Sequence, residues 1–285
     1  MKHATVGLDM RWRSGPFSLD PTVLYQFGNR TSYNTVSSAY GRLCNTTGTA
    51  ALNCAKDKAD ISAWLVDVRG GYQLGPVLLE GLFLWTSGNR AQDNLRKNVN
   101  YYQPLDTDAS YLSGWSQFTV GGIDYYQRLI TPTDLGQFIG YDKYGRLEVA
   151  ARATYALTPA FSIYAVGAQL WTDKSVDTDA VATSGAGYLP SFVDRKTGRS
   201  ARPEGDSRLL GTDLTAGLTW KMAPGLTLDV AAGYLFAGGA FGHRHPGTVY
   251  CEAGKINASN CQPPDQKDQK ANDVFVTAAR VRFTF

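Results

Sequence analysis

The chain ends on Asn272-Asp273-Val274-Phe275-Val276-Thr277-Ala278-Ala279-Arg280-Val281-Arg282-Phe283-Thr284-Phe285. Phe275, Thr277, Ala279, Val281, Phe283 and Phe285 share one parity, and Val274, Val276, Ala278, Arg280, Arg282 and Thr284 share the other. Side chains two apart lie on one face of a strand. The stretch therefore predicts a strand with one apolar face and one face carrying two arginines. A strand of a soluble sandwich rarely stops on its last apolar residue, so the weight falls on whether the pattern repeats.

It repeats upstream. Val6, Leu8, Met10 and Trp12 alternate with Gly7, Asp9, Arg11 and Arg13, and Phe17, Leu19, Val23, Tyr25 and Phe27 alternate with Ser18, Asp20, Thr22 and Gln26. Trp64, Val66, Val68, Tyr72 and Leu74 share a parity, with Asp67 and Arg69 opposite; Val77, Leu79, Phe83 and Trp85 share another, with Glu80 opposite. Leu147 to Leu157 sets Arg146, Glu148 and Arg152 against apolar neighbours. Leu210, Leu214, Ala216, Leu218, Trp220 and Met222 alternate with Asp213, Thr215, Thr219 and Lys221, and Leu226 to Phe236 with Thr227 and Asp229. Phe161 to Thr172 is a further strand whose two faces resemble each other. Nine strands of about ten to fourteen residues result, long enough to cross a bilayer at a tilt.

Four connections are tight and contain proline: Ser14-Gly15-Pro16, Gly75-Pro76, Thr158-Pro159-Ala160 and Ala223-Pro224-Gly225. Proline and glycine preset turn geometry. Four others, at about 28–60, 87–144, 173–207 and 238–271, are long and polar, and the two kinds alternate strictly. Short turns on one rim and long loops on the other resemble a bacterial outer-membrane β-barrel. The fold expected is all-β: a transmembrane antiparallel β-barrel, one domain over residues 1–285. In that class a terminal Phe is the signal read by the barrel-insertion machinery, which implies this role for Phe285.

The composition agrees. Charged residues are 19%, with 30 glycines and 16 tyrosines. A mean hydropathy of −0.25 is what a barrel gives when only alternate residues meet lipid. Trp12, Trp85, Tyr155, Trp171, Trp220 and Tyr234 near strand ends are candidates for interfacial girdles, although aromatics favour any strand. A net charge of +3, with no basic cluster, does not point to nucleic acid.

Cys44 and Cys54 lie ten apart in the first long loop, and Cys251 and Cys261 ten apart in the last. Two local pairs predict two disulfides, formed in an oxidising compartment; free thiols or a metal site are the alternatives, and the spacing fits no zinc pattern. Met1-Lys2-His3-Ala4 leads directly into the first strand. With the chain's end on the short-turn rim, nine strands place its start on the long-loop rim, whereas a complete bacterial single-chain barrel has an even number. The expectation is the C-terminal part of a larger barrel.

Gly140-Tyr141-Asp142-Lys143-Tyr144-Gly145-Arg146, the Leu157-Thr158-Pro159 turn, Leu210-Gly211-Thr212-Asp213-Leu214 and Gly233-Tyr234-Leu235-Phe236-Ala237-Gly238 resemble alginate-export-type outer-membrane porins. The resemblance spans about residues 59–285. It implies a wide barrel passing polar or anionic solutes, with a lumen rich in arginine and lysine. The lumen set here is Arg11, Arg13, Arg69, Arg146, Arg152, Lys221, Arg280 and Arg282 against Asp9, Asp20, Asp67, Glu80, Glu148, Asp213 and Asp229, eight against seven. These charges either pair across the wall and hold its shape or line a wet pore and set its preference. Arg11, Arg13, Arg280 and Arg282 form the candidate cationic stripe, because their own strands carry fewer acids.

The function expected is an outer-membrane channel for small polar or anionic solutes, integral to the bacterial outer membrane. Its surroundings are lipid and lipopolysaccharide, and it uses no cofactor. A docking barrel plugged by an envelope protein partner is the alternative. An enzyme is disfavoured: only His3, His243 and His245 are present, with no nucleophile motif, phosphate loop or metal spacing near them.

Overall fold

The computed structural model describes residues 2–33, 56–93, 97–103, 144–176, 180–183, 191–194, 205, 207–241, 243–244, 268–269 and 272–284. Cys44, Cys54, Cys251, Cys261 and Phe285 lie outside them, and so does Ser116-Gln117-Phe118-Thr119-Val120, a stretch whose sequence offers one further strand.

The chain is an up-and-down antiparallel sheet. In sequence order its strands are β1 (Lys2–Asp9), β2 (Trp12–Ser14), β3 (Phe17–Tyr33), β4 (Lys56–Leu74), β5 (Val77–Thr86), β6 (Asn98–Val99), β7 (Arg146–Thr158), β8 (Phe161–Val176), β9 (Ala180–Thr183), β10 (Ser191–Asp194), β11 (Ser207–Ala223), β12 (Leu226–Ala237), β13 (His243–Arg244), β14 (Asp268–Gln269) and β15 (Val274–Phe283). The main sheet runs β1-β3-β4-β5-β7-β8-β11-β12-β15, with β2 continuing β1 along β3. Every neighbour in that order pairs antiparallel. This matches the nine expected strands. The sheet is open among the described residues, as the wall of a partial barrel is, and β1 and β15 are its edges.

The break between β1 and β2 has a local cause. Pro21 on β3 gives its carbonyl to the Met10 N–H at 3.0 Å but has no N–H to donate back, so one rung of the ladder is missing. The four tight turns are two-residue loops. Gly15 and Gly75 take φ +56° ahead of their prolines, the geometry of a turn whose first central residue is glycine. Each turn also bonds sideways to a later strand: Gln73 N to Pro16 O, Ala156 N to Pro76 O, Lys221 N to Ala160 O, and Thr284 N to Gly225 O. The turn rim is thereby continuous.

Among the described residues, pieces of the long connections are paired strands. β3 and β4 continue pairing out to Tyr33 opposite Lys56, β9 pairs with β10, and β13 with β14. These pieces are two to six residues long, too short for a parity pattern to reveal.

Parity fixes the two faces nearly everywhere. Along β4, Ala59, Ile61, Ala63, Leu65 and Asp67 are buried, while Asp60, Ser62 and Trp64 are exposed. Two places depart from the sequence reading. Leu210 shares parity with Leu214 in sequence, yet Leu210 is buried and Leu214 is 53% exposed. The register slips between Leu209 and Gly211, and Gly211 adopts φ +149°, so the bulge turns Leu209 outward and Leu210 in. On β8, Ile163, Ala165, Gly167, Gln169 and Trp171 align with the apolar face of β7. Their opposites, Val166, Ala168 and Leu170, are buried, which is why both faces of β8 are apolar in sequence.

Candidate lumen face and its narrowing segment

The exposed face is apolar and banded. Near the turn rim it carries Trp12, Phe17, Tyr72, Tyr155, Trp220 and Phe283. Phe17 and Tyr72 have ring centroids 4.7 Å apart. Near the loop rim it carries Phe27, Trp64, Tyr234 and Phe236, with Tyr25 against Trp64 at 4.4 Å and Tyr234 against Phe236 at 4.8 Å. Between them the register aligns a row of small side chains, Ala153-Ala165-Ala216-Ala232-Thr277. Phe161 and Trp171 are ten residues apart on β8. At about 3.3 Å per residue and ~40° tilt, that separation is ~25 Å along the normal, the height of a barrel's apolar band. Near the loop rim a polar pair on this face closes on itself: Thr212 Oγ1 donates to Gln169 Oε1 at 2.7 Å.

The opposite face holds the predicted charges. Arg13 on β2 donates to both oxygens of Asp20 on β3, the Nη2–Oδ2 bond at 2.8 Å. Arg69 donates to Asp67 two residues away through Nη2 at 2.8 Å and Nε at 3.1 Å. Glu80 on β5 faces Arg152 on β7 by register, with Nε and Oε2 3.7 Å apart. Asp229 on β12 accepts from Arg280 at 3.3 Å, Arg282 at 2.8 Å and Thr219 at 2.9 Å. Asp9 accepts from Thr22 at 2.9 Å. Arg11 lies exposed between the paired stretches of β1 and β2, and Lys221 is exposed near the turn rim.

The cationic stripe is corrected by this register. Arg280 and Arg282 share a strand without acids, but β12 brings Asp229 directly opposite Arg280, so two guanidiniums share one carboxylate. Arg13 is likewise paired. Only a strand's own residues are visible to parity; its neighbour's are not. Further up the same face Arg146, Glu148 and Asp213 are buried, Asp213 accepting a hydrogen bond from Thr215 at 2.9 Å. These three are wall groups rather than exposed lining. Arg13, Arg69 and Arg282, in contrast, keep 57%, 36% and 50% of their side chains exposed.

Residues 87–93 and 97–103 of the second long connection fold onto this face, which no sequence pattern announced. Asn89 is buried and donates to Asn98 O, while Asn100 N donates to Asn89 Oδ1 at 2.7 Å. β6 pairs parallel with β4 at Asp60 and Ile61, and Ser87 Oγ donates to Asn100 O at 2.6 Å. The chain then reaches the polar face. Tyr102 packs on Ala63, Leu65 and Leu84 with Leu24 beside it. The buried Gln26 amide takes the place of a strand partner: its Nε2 donates to Gln103 O, and its Oε1 accepts from Gln103 N at 2.9 Å. The rim below is held by Asp173, which accepts from Trp85 Nε1 at 2.9 Å and Gly88 N at 3.0 Å. A second apolar patch on the same face joins Leu170, Leu210 and Leu235 to Ala240 of the 3-10 turn Gly239–Phe241.

No protein-family model matches the chain, and no curated protein matches it. Solved structures similar to it include two of OmpT, an outer membrane protein of Vibrio cholerae. One was expressed in the outer membrane and is 13% identical; the other was folded in vitro and is 11% identical. They cover 98% and 99% of this chain and 56% of OmpT, each with a TM-score of 0.40. The chain thus spans little more than half the length of the structures it matches. At those values the likeness assigns no function, and the two faces carry the reading.

Among the described residues no three His, Cys, Asp or Glu side chains gather as a metal site, and no helix is long and apolar enough to cross a membrane.

Proposed function

We propose that this sheet is part of the wall of a bacterial outer-membrane channel that passes small polar or anionic solutes. The observation that carries it is the pairing of the two faces. An apolar band about 25 Å high between two aromatic levels suits hydrocarbon, and the reverse side of the same strands presents half-exposed guanidiniums suited to water. In lipid the open edges β1 and β15 require strand partners, because unpaired backbone groups are costly there; further strands of a larger barrel supply them. The alginate-export-type resemblance agrees with such a barrel. The near balance of charge, and the ion pairs that absorb it, argue against a dedicated conduit for a polyanion. The role is transport and not catalysis.

A plugged or docking barrel is the second reading. It is favoured by the two buried apolar patches on the polar face, around Tyr102 and around Leu210, which narrow the loop side of the lumen.

Two measurements test the reading. In intact cells, a cysteine probe replacing exposed Arg90 on the loop rim should be labelled, and one replacing Pro159 on the turn rim should not; the reverse would invert the orientation. In bilayers, full-length protein carrying both Arg280→Ser and Arg282→Ser leaves Asp229 uncompensated. Its reversal potential should move toward cations, most strongly at low salt. Conduction with unchanged selectivity would remove these arginines from the mechanism, and a protein that conducts nothing would leave the docking reading.

A further inference from the structure

The bulged end of β11 leaves a hollow on the apolar face. Ser207 pairs with Val176 and Leu209 with Trp171, so residues 172–175 of β8 stand opposite the single residue Arg208 of β11. Surplus residues on one strand disrupt the ladder and part the strands locally. Both sides of the gap are held. Lys174 N donates to Tyr144 O at 2.9 Å on the β7 side, and Gly238 N donates to Leu210 O at 2.8 Å on the β12 side. The gap is a cavity of about 440 Å³ walled by Leu147, Trp171, Ser207, Arg208 and Leu209. Leu147, Trp171 and Leu209 form one row across β7, β8 and β11, and Leu209 is exposed on the apolar face.

Arg208 stands at the head of this hollow. Trp171 marks the loop-rim end of the apolar band, and Arg208 lies beyond that row toward the rim, at the level of lipid headgroups. Its Nε donates to Thr172 O at 3.0 Å, and the buried Thr172 returns a longer bond from Oγ1 to Arg208 O at 3.4 Å. The guanidinium is thereby anchored yet exposed, and its Nη groups have no partner among the described residues. Asp173, the one carboxylate between residues 172 and 175, is occupied. It accepts from Trp85 Nε1 and Gly88 N and lies 3.0 Å from Lys174 Nζ. One positive charge with open donors is left above an apolar pocket.

We propose that Leu147, Trp171, Leu209 and Arg208 hold one phosphate-bearing lipid, with an acyl chain in the hollow and the phosphate on the Arg208 fork. The argument is charge complementarity joined to depth. The cavity gives an acyl chain apolar walls, where the flat face of a sheet gives it a single surface. A guanidinium presents paired N–H donors that match two oxygens of a phosphate, and Ser207 adds a hydroxyl to the same wall. A free phosphate gains the fork and leaves the pocket empty. A neutral lipid fills the pocket and leaves the fork unpaired. Only a molecule carrying both groups satisfies the site. The site rests on the membrane setting of the proposed wall, with the apolar face toward lipid, and does not require conduction.

The test is native mass spectrometry of detergent-solubilised full-length protein given dimyristoyl phosphatidic acid, the matching diacylglycerol, or inorganic phosphate. One phosphatidic acid per chain is expected to stay bound, about fivefold or more tightly than diacylglycerol, the ratio that one cation at the headgroup layer supplies. Arg208→Gln should erase that preference, and Arg208→Lys should keep most of it. Ser207→Phe, which fills the hollow and leaves Arg208 in place, should weaken phosphatidic acid and diacylglycerol alike. Inorganic phosphate held as tightly as phosphatidic acid would make this a simple anion site and overturn the proposal. So would a preference that survives Arg208→Gln, or lipid retention unchanged by Ser207→Phe. A protein that conducts yet shows no preference for phosphatidic acid loses this site and keeps the channel; one that binds the lipid yet carries no current does the opposite.

Discussion

Replacing Val230 or Leu214 with arginine is expected to destabilise the full-length protein in the membrane by about 2–4 kcal/mol, and replacing Thr219 with arginine is expected to change little. Leu214 is more than half exposed on the apolar face, and Val230 pairs with Leu218 on the same face between the two aromatic levels. A guanidinium there has no water and no partner. Thr219 pairs with Asp229 across the strand boundary, on the other face, so an arginine at 219 stays in the half-exposed charged layer and out of hydrocarbon, at the loss of one hydrogen bond to a carboxylate that keeps its two arginine partners. The difference corresponds to roughly a 30- to 900-fold change in the folding equilibrium constant. Urea titration of protein folded into lipid vesicles measures it. Equal responses from the two faces would mean that neither meets hydrocarbon, and a soluble sandwich would replace the barrel.

That contrast is legible in the amino-acid sequence, because a strand's period of two is set by the backbone alone. The nine strands, their faces and the four tight turns all follow from it. Thr215 shows where such reasoning stops. Its parity matches Thr219, and as sequence the two are interchangeable positions for a tolerated arginine. In the fold Thr215 is buried beside the buried Asp213 and leaves no room for a large cation, whereas Thr219 is only half-buried. Leu210 fails for a related reason: one bulged residue at Gly211 reverses everything beyond it. Asp229 between Arg280 and Arg282 depends on register between strands, which neither strand encodes by itself. The inward path of residues 97–103 depends on Gln26, 77 residues from its partner in sequence. A lone glutamine within an alternating strand carries no mark of that role; on parity it is simply a polar residue on the polar face.

Gln26 is also where the pore's width can be tested. The Gln26→Leu variant keeps a side chain of similar length and removes both hydrogen bonds to the Gln103 backbone. Two backbone groups are then left without partners beside a buried wall, at about 1–3 kcal/mol each. A shift of that size moves the docked-to-released ratio of the segment by roughly 30-fold or more. Tyr102 loses its seat on Ala63, Leu65 and Leu84 with the same release. The expected result is a larger and noisier single-channel current from full-length Gln26→Leu protein, with the folded fraction little changed because the strand ladder of β3 is untouched. Gln26→Glu, which retains an acceptor for Gln103 N–H but loses the donor, should fall between the two. The same variant separates the two functional readings. A wild-type protein that is silent in bilayers and begins to conduct as Gln26→Leu is a plugged barrel, closed by its own segment. A wild type that already conducts, and widens, is an open channel whose loop side is narrowed by Tyr102. Currents identical in all three proteins would mean that residues 97–103 lie against the wall without narrowing the path, and the constriction would have to be sought elsewhere in the lumen.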